Sequence, residues 1–139
     1  MTTIANLRSG LNTRLATIAD VQTSAYMLSV PAPPCVEVST LDEVLYDRTM
    51  QRGFDEYRFI IRAYSGLTSD IGAQKTLDLF LASSGSGSVK AAVEGDRTLG
   101  GVCSDLQVES CSGYRVYAAD GRGPFLGAEW TVRVLATGT

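Results

Sequence analysis

Residues 54–65 read FDEYRFIIRAYS, and their alternation decides the fold. Successive side chains of an extended chain point to opposite faces. Asp55, Tyr57, Phe59, Ile61 and Ala63 therefore share one face, which is apolar and is expected to meet a core. Phe54, Glu56, Arg58, Ile60, Arg62 and Tyr64 share the other, which mixes rings with charges and is expected to face solvent or a neighbouring subunit.

On the N-terminal side, Ile4, Leu7, Leu11, Leu15 and Ile18 recur at spacings of three and four, which predicts an amphipathic helix over 3–19. Thr2 or Thr3 is placed to cap it; Gly10 weakens it slightly. A short apolar stretch at 24–30 reads as a strand, ended by PAPP at 31–34, and CVEVST at 35–40 reads as another. The charged segment 41–53 reads as a long loop or hairpin arm between strands.

On the C-terminal side, Thr68 or Ser69 is placed to cap a helix over about 69–82, with Ile71, Ala73, Leu77, Phe80 and Leu81 on its apolar face. GSGS at 85–88 ends it, and Ser88 caps a short helix, VKAAVE, closed by Gly95. TLGG at 98–101 turns into a strand at 102–110; strands at 114–119 and 125–136 flank a DGRG turn at 120–123. The last strand puts Leu126, Ala128, Trp130, Val132 and Val134 on one face. The order is helix, three strands, two helices, three strands. That order indicates an α+β domain, with a mainly antiparallel or mixed sheet packed against an N-terminal helix and two central helices. With 139 residues and 45% hydrophobic content, the chain is the size of one domain, 1–139, able to bury a core.

The residue inventory removes most chemistry. Histidine is absent, which excludes Ser-His, Cys-His and His-metal sites. Cys35, Cys103 and Cys111 form no CxxC pair. Lys75 and Lys90 sit at polar helix positions, and GSGSVK at 85–90 lacks phosphate-loop spacing and does not follow a strand. The neighbouring carboxylates Asp42/Glu43 and Asp55/Glu56 would point to opposite strand faces, poor geometry for a catalytic pair. A net charge of −3 weighs against broad binding to nucleic acid. No signal peptide or membrane-length apolar run is seen. The expectation is a soluble assembly protein that is not an enzyme, with no cofactor and no metal.

Several stretches, in order, carry a resemblance. They are IANLRSGLNTRL; PAPPCVEV; YRFIIRAYSG followed by D-x-x-A-Q-x-x-L at Asp70, Ala73, Gln74 and Leu77; GSGSVKAAVEGDRTLGGVCSDLQV at 85–108; and FLGAEWTVRVLAT. Together they span nearly the whole chain, which resembles the tail terminator (tail completion) proteins of long-tailed bacteriophages. The resemblance implies a hexameric ring that caps the tail tube, stops its polymerisation and joins tail to head. The implied partners are further copies of the chain, the major tail tube protein and the head–tail connector or neck proteins, with DNA passing through the lumen unbound. The implied location is the tail–neck region of the virion, after synthesis in the host cytoplasm, with no membrane.

Interfaces are expected on segments 41–53 and 112–124, since loops carry specificity on a rigid scaffold. The candidates are Glu43, Tyr46, Asp47, Arg48, Arg52, Tyr114, Arg115, Tyr117, Asp120 and Arg122, the arginines as ion-pair partners and the tyrosines as anchors. Two other readings stay open: a different neck or head–tail joining protein, and a small ligand-binding domain.

Overall fold

The computed structural model describes residues 3–18, 21–27, 34–46, 53–67, 71–119 and 122–137. Among these residues, three helices and five strands follow in the order α1 (Ile4–Leu15), β1 (Gln22–Ser24), β2 (Cys35–Leu45), β3 (Phe54–Leu67), α2 (Ile71–Leu81), α3 (Val89–Glu94), β4 (Asp105–Ala119) and β5 (Arg122–Thr137). The strands make one mixed sheet, ordered β1-β2-β3-β5-β4. Only the short β1–β2 pair is parallel; the other three pairs are antiparallel. The α+β class read from the sequence is the observed one.

The apolar faces read from periodicity form the core. Leu7, Leu11 and Leu15 of α1, Leu77 and Phe80 of α2, and Val89 and Val93 of α3 all pack with Val36, Val38, Phe59, Ile61, Trp130, Val132 and Val134. The helices thus cover one face of the sheet. Thr3 caps α1 by accepting from Asn6 N, and Ser88 caps α3 by accepting from Ala91 N. Arg14 ties α1 to α3 by donating from Nε to Ala92 O at 3.0 Å.

The turn after α3 locks this arrangement. Asp96 Oδ1 accepts from Thr98 N and Thr98 Oγ1, and Oδ2 accepts from Gly100 N. This holds Leu99 at φ +50° and 5% exposed, against Gly10 of α1. A Cβ on Gly10 would lie 3.0 Å from Leu99 Cβ, so the residue that weakens the helix also seats its neighbour.

Several boundaries differ from the sequence reading. The described strand near 24–30 is β1, at 22–24. Beyond it the Ser24 hydroxyl donates to Tyr26 O and accepts from Tyr26 N, folding the chain into a local turn and leaving Tyr26 and Met27 exposed. Residues 41–45 are not loop but the second half of β2. Register shifts between Val38 and Leu41, and again between Leu41 and Glu43, break the alternation that would have revealed them. The two strands expected at 102–110 and 114–119 are one, β4, with irregularities between Val108 and Ser110 and between Ser112 and Arg115. Gly113 in the latter has φ +68°, a conformation glycine adopts freely. On α2, Ile71 and Leu81 are exposed, so its buried stripe is narrower than expected. The expected capping residues Thr68 and Ser69 lie outside the described residues.

Gly127 of β5 sits where a side chain cannot. A Cβ there would collide with Ala63 O of the adjoining strand and come within 3.0 Å of the Tyr117 ring. Gly53 has nothing within 4 Å of the same hypothetical atom. Gly127→Ala should therefore lower the unfolding free energy by about 2 kcal/mol or more, while Gly53→Ala should stay within about 0.5 kcal/mol of the parent. Urea denaturation of both variants checks this.

Candidate interaction surfaces

The other face of the sheet carries no helix among the described residues. It is closed by its own side chains. Cys35, Tyr64 and Phe125 form a small buried cluster with Tyr117 packed against it. The Tyr64 and Tyr117 rings meet edge to face, 5.8 Å apart at 83°.

Next to the rings lies a first charged group. Arg62 donates to Glu129 Oε1 at 3.0 Å. Arg115 comes within 3.8 Å of the same oxygen. Both guanidiniums stand over the Tyr117 ring, 5.1 and 4.8 Å from its centre. The Tyr117 hydroxyl lies 2.7 Å from Gly113 O and 3.2 Å from Glu129 Oε1. Burial, then the Glu129 charge, push this hydroxyl up to about 12, so it stays a neutral donor.

A second charged group centres on Glu56, only 3% exposed. Arg58 Nε donates to its Oε2 at 3.0 Å, and Arg133 Nε donates to its Oε1 at 2.8 Å. Arg58 also approaches Glu43 at 3.7 Å and Glu109 at 3.8 Å. The register explains the gathering, because Glu43 faces Arg58 across β2–β3 and Arg58 faces Arg133 across β3–β5. Burial pushes the Glu56 carboxyl up, but its hydrogen bonds and charge contacts with the two arginines outweigh that and hold it below its usual range.

The edges of the sheet are treated unevenly. At β2, Arg8 Nη1 donates to Val38 O at 2.9 Å. At β4, Glu94 Oε2 accepts from Val108 N at 2.9 Å. Among the described residues, no strand pairs with the outer edge of β2 beyond Glu37 or with the outer edge of β4. The open stretches are therefore 39–45 of β2 and 110–119 of β4. They lie at opposite ends of opposite edges, because Glu43–Leu45 and Ser110–Tyr117 align with different halves of β3 and β5.

The sequence candidates distribute over these surfaces as follows. Tyr46 is 73% exposed and Tyr114 40%; the Tyr114 hydroxyl donates to Asp78 Oδ1 of α2. Glu43 and Arg115 are exposed at the two open edges. Tyr117 is not a free anchor: it is packed inside the bare face. The segment 112–124, expected as loops, is strand up to Ala119 and again from Arg122, which pairs with Ala119. Asp47, Arg48, Arg52 and Asp120 lie outside the described residues. Sequence reasoning missed Glu56, Arg58, Arg62, Glu129 and Arg133 as a set. The available signal was the second face of 54–65, whose charges needed partners on a neighbouring strand.

Cys35, Cys103 and Cys111 form no disulfide. Burial pushes Cys103 and Cys111 up to about 11, with Asp105 and Asp96 adding to the effect at Cys103. Such thiols are protonated at neutral pH and make weak nucleophiles. Among the described residues, no group of three or more His, Cys, Asp or Glu is placed to hold a metal ion. Among the same residues, no helix is long and apolar enough to cross a membrane. Comparison with protein-family models and with curated proteins finds no match for this chain.

Glu56 gives the bare face a pH dependence of defined sign. Its folded-state pKa lies below the ordinary value of 4.5, so its contribution is complete above that value and is lost as pH falls through the folded pKa. Glu56→Gln should cost about 1–2 kcal/mol at pH 7. The gap between parent and variant should shrink in urea melts at about pH 3; an equal gap at both pH values would contradict this assignment.

Proposed function

We propose that this chain is the subunit of a ring, six copies by the resemblance, that caps a bacteriophage tail tube and joins it to the head. The observation that carries the reading is the pair of unlike open edges. A closed ring needs heterologous contacts, in which one side of each copy meets a different side of the next. The four long strands alternate in direction across β2-β3-β5-β4, so β2 and β4 run oppositely. Copies sharing one orientation along a ring axis would bring β4 against the neighbour's β2 antiparallel, the more stable pairing. Charges match too: Asp42 and Glu43 are exposed on the β2 side, Arg115 on the β4 side. Exposed Tyr114 and Val116 add contact area on the β4 side.

The bare sheet face also suits a lumen. Its ion pairs set Glu43, Glu56, Glu109 and Glu129 against Arg58, Arg62, Arg115 and Arg133, four charges of each sign. Arginines committed to carboxylates have little left to neutralise phosphates, so DNA would pass without being held. Assembly of this kind works by surface complementarity and requires no catalytic residue.

The purified protein should assemble into a hexamer, alone at high concentration or on isolated tail tubes, as read by light scattering and electron microscopy. A strict monomer that never decorates tube ends would overturn the proposal, and a ring that binds only the head side would favour another neck protein. Arg115→Glu on the β4 edge and Glu43→Arg on the β2 edge should each weaken assembly roughly tenfold, and because the two positions lie at opposite ends of the sheet the double variant should not restore it.

A further inference from the structure

The cleft beside β1 combines a buried hydroxyl and a guanidinium, neither of which finds its full complement of partners among the described residues. Arg8 projects from α1 and is half-buried. Its Nη1 donates to Ala25 O and Val38 O, both at 2.9 Å. Its guanidinium lies 4.8 Å from the centre of the Tyr26 ring and 5.7 Å from that of Phe59. Among the described residues, no carboxylate lies within ion-pairing distance of it. Ser39 is 1% exposed, yet its hydroxyl has no hydrogen-bond partner among the described residues. Buried polar groups are almost always paired, so an orphan hydroxyl beside an unneutralised cation marks a place where something is expected to bind.

The two groups line one open cleft of about 490 Å³ together with Tyr26, Met27, Thr40 and Leu41. Tyr26 and Met27 give it an apolar rim, 57% and 59% exposed. The cleft also runs along a vacated strand position. β1 pairs with β2 only as far as Ser24↔Glu37, and the β2 edge continues past it without a strand partner among the described residues.

We propose that this cleft binds an extended segment of a partner protein, lying along β2 where β1 stops, with a carboxylate of that segment between Arg8 and Ser39. The chemistry selects an acid. The free guanidinium nitrogens and the Ser39 hydroxyl can all donate, and a carboxylate accepts from several donors at once. The strand edge selects a polypeptide over a free acid, because main-chain pairing with 39–41 gives affinity while the flanking pocket gives specificity. The segment would take residues 39–41 of the same β2 edge that the ring reading gives to a neighbouring copy, so the two occupants exclude each other there, and the site stands if the ring reading fails.

The test uses the full chain and a blocked probe peptide, acetyl-Thr-Val-Thr-Glu-Thr-Val-Thr-amide, with its Gln counterpart and butyrate as comparisons. Binding is read from amide shifts of Ser39, Thr40 and Leu41. The Glu peptide should move these amides and bind at least about tenfold more tightly than the Gln peptide, the factor expected when a charged acceptor is lost. Ser39→Ala removes an orphan hydroxyl, so it should leave the melting temperature unchanged or raised while weakening the Glu peptide several-fold. Arg8→Gln should abolish the preference for Glu over Gln. Because Arg8 also holds Ala25 and Val38, its result counts only alongside Ser39→Ala. Absence of any shift with both peptides overturns the proposal, as does equal binding to Ser39→Ala. Butyrate binding as tightly as the Glu peptide overturns the polypeptide occupant. Self-association of the unliganded protein that Ser39→Ala abolishes would put a second copy in the cleft and overturn it likewise.

Discussion

The structure depends on one constraint: β3 and β5 are paired along both edges but, among the described residues, covered by helices on only one face. Their mutual register runs from Phe54↔Thr137 to Leu67↔Phe125. On the covered face the solution is ordinary packing, with Phe59 opposite Val132 and Ile61 opposite Trp130. The other face has no second layer among the described residues and closes with what the same strands carry. It does so by placing an acid on one strand within reach of arginines on its neighbours. Glu56 of β3 takes Arg133 of β5, and Glu129 of β5 takes Arg62 of β3. A carboxylate as enclosed as Glu56 is tolerable only because both of its oxygens are engaged by guanidinium groups.

That closure dictates details elsewhere. Tyr117 can lie across β5 because position 127 is glycine, and from there its ring supports Arg62 and Arg115 while its hydroxyl reaches Glu129. The irregularity between Ser112 and Arg115 carries β4 past one extra residue. A bulge re-aims the side chains that follow it, and here Arg115 and Tyr117 follow. The strand reads as two in the sequence for the same reason that it works as one in the fold.

The covered face was legible from sequence because burial imposes period. Leu7, Leu11 and Leu15 on α1, and Ala128, Trp130, Val132 and Val134 on β5, fall where spacing puts them. Caps made by one residue, Thr3 and Ser88, were legible as well. The bare face was less so. Its charges alternate as plainly, but which acid meets which arginine depends on register, and register is a property of pairs of strands. The bulges in β2 and β4 hid strand continuity by breaking period. The cleft at Arg8 and Ser39 left no trace at all, since it joins a helix, a turn and a strand edge that are distant in sequence. Of the ten interface candidates, Glu43, Tyr46, Tyr114 and Arg115 are exposed on the described surface, while Tyr117 belongs to the interior of the bare face.

The edges bear on how copies would meet. Exposed strand edges invite pairing, and proteins usually blunt them. Here the blunting is partial: Arg8 occupies Val38 O on one side and Glu94 occupies Val108 N on the other, each just before the open stretch begins. Two copies related by a twofold axis would pair like with like. Two β4 stretches would then bring one Arg115 towards the other, and two β2 stretches would gather Asp42 and Glu43 of both copies. Like charges across a strand pair are destabilising. Pairing β4 with β2 instead brings edges of unlike charge together without opposing like charges, and leaves one edge of each kind free for the next copy. Charge therefore favours the head-to-tail arrangement over the twofold one, and head-to-tail contacts close into a ring whenever the rotation between neighbours divides a full turn.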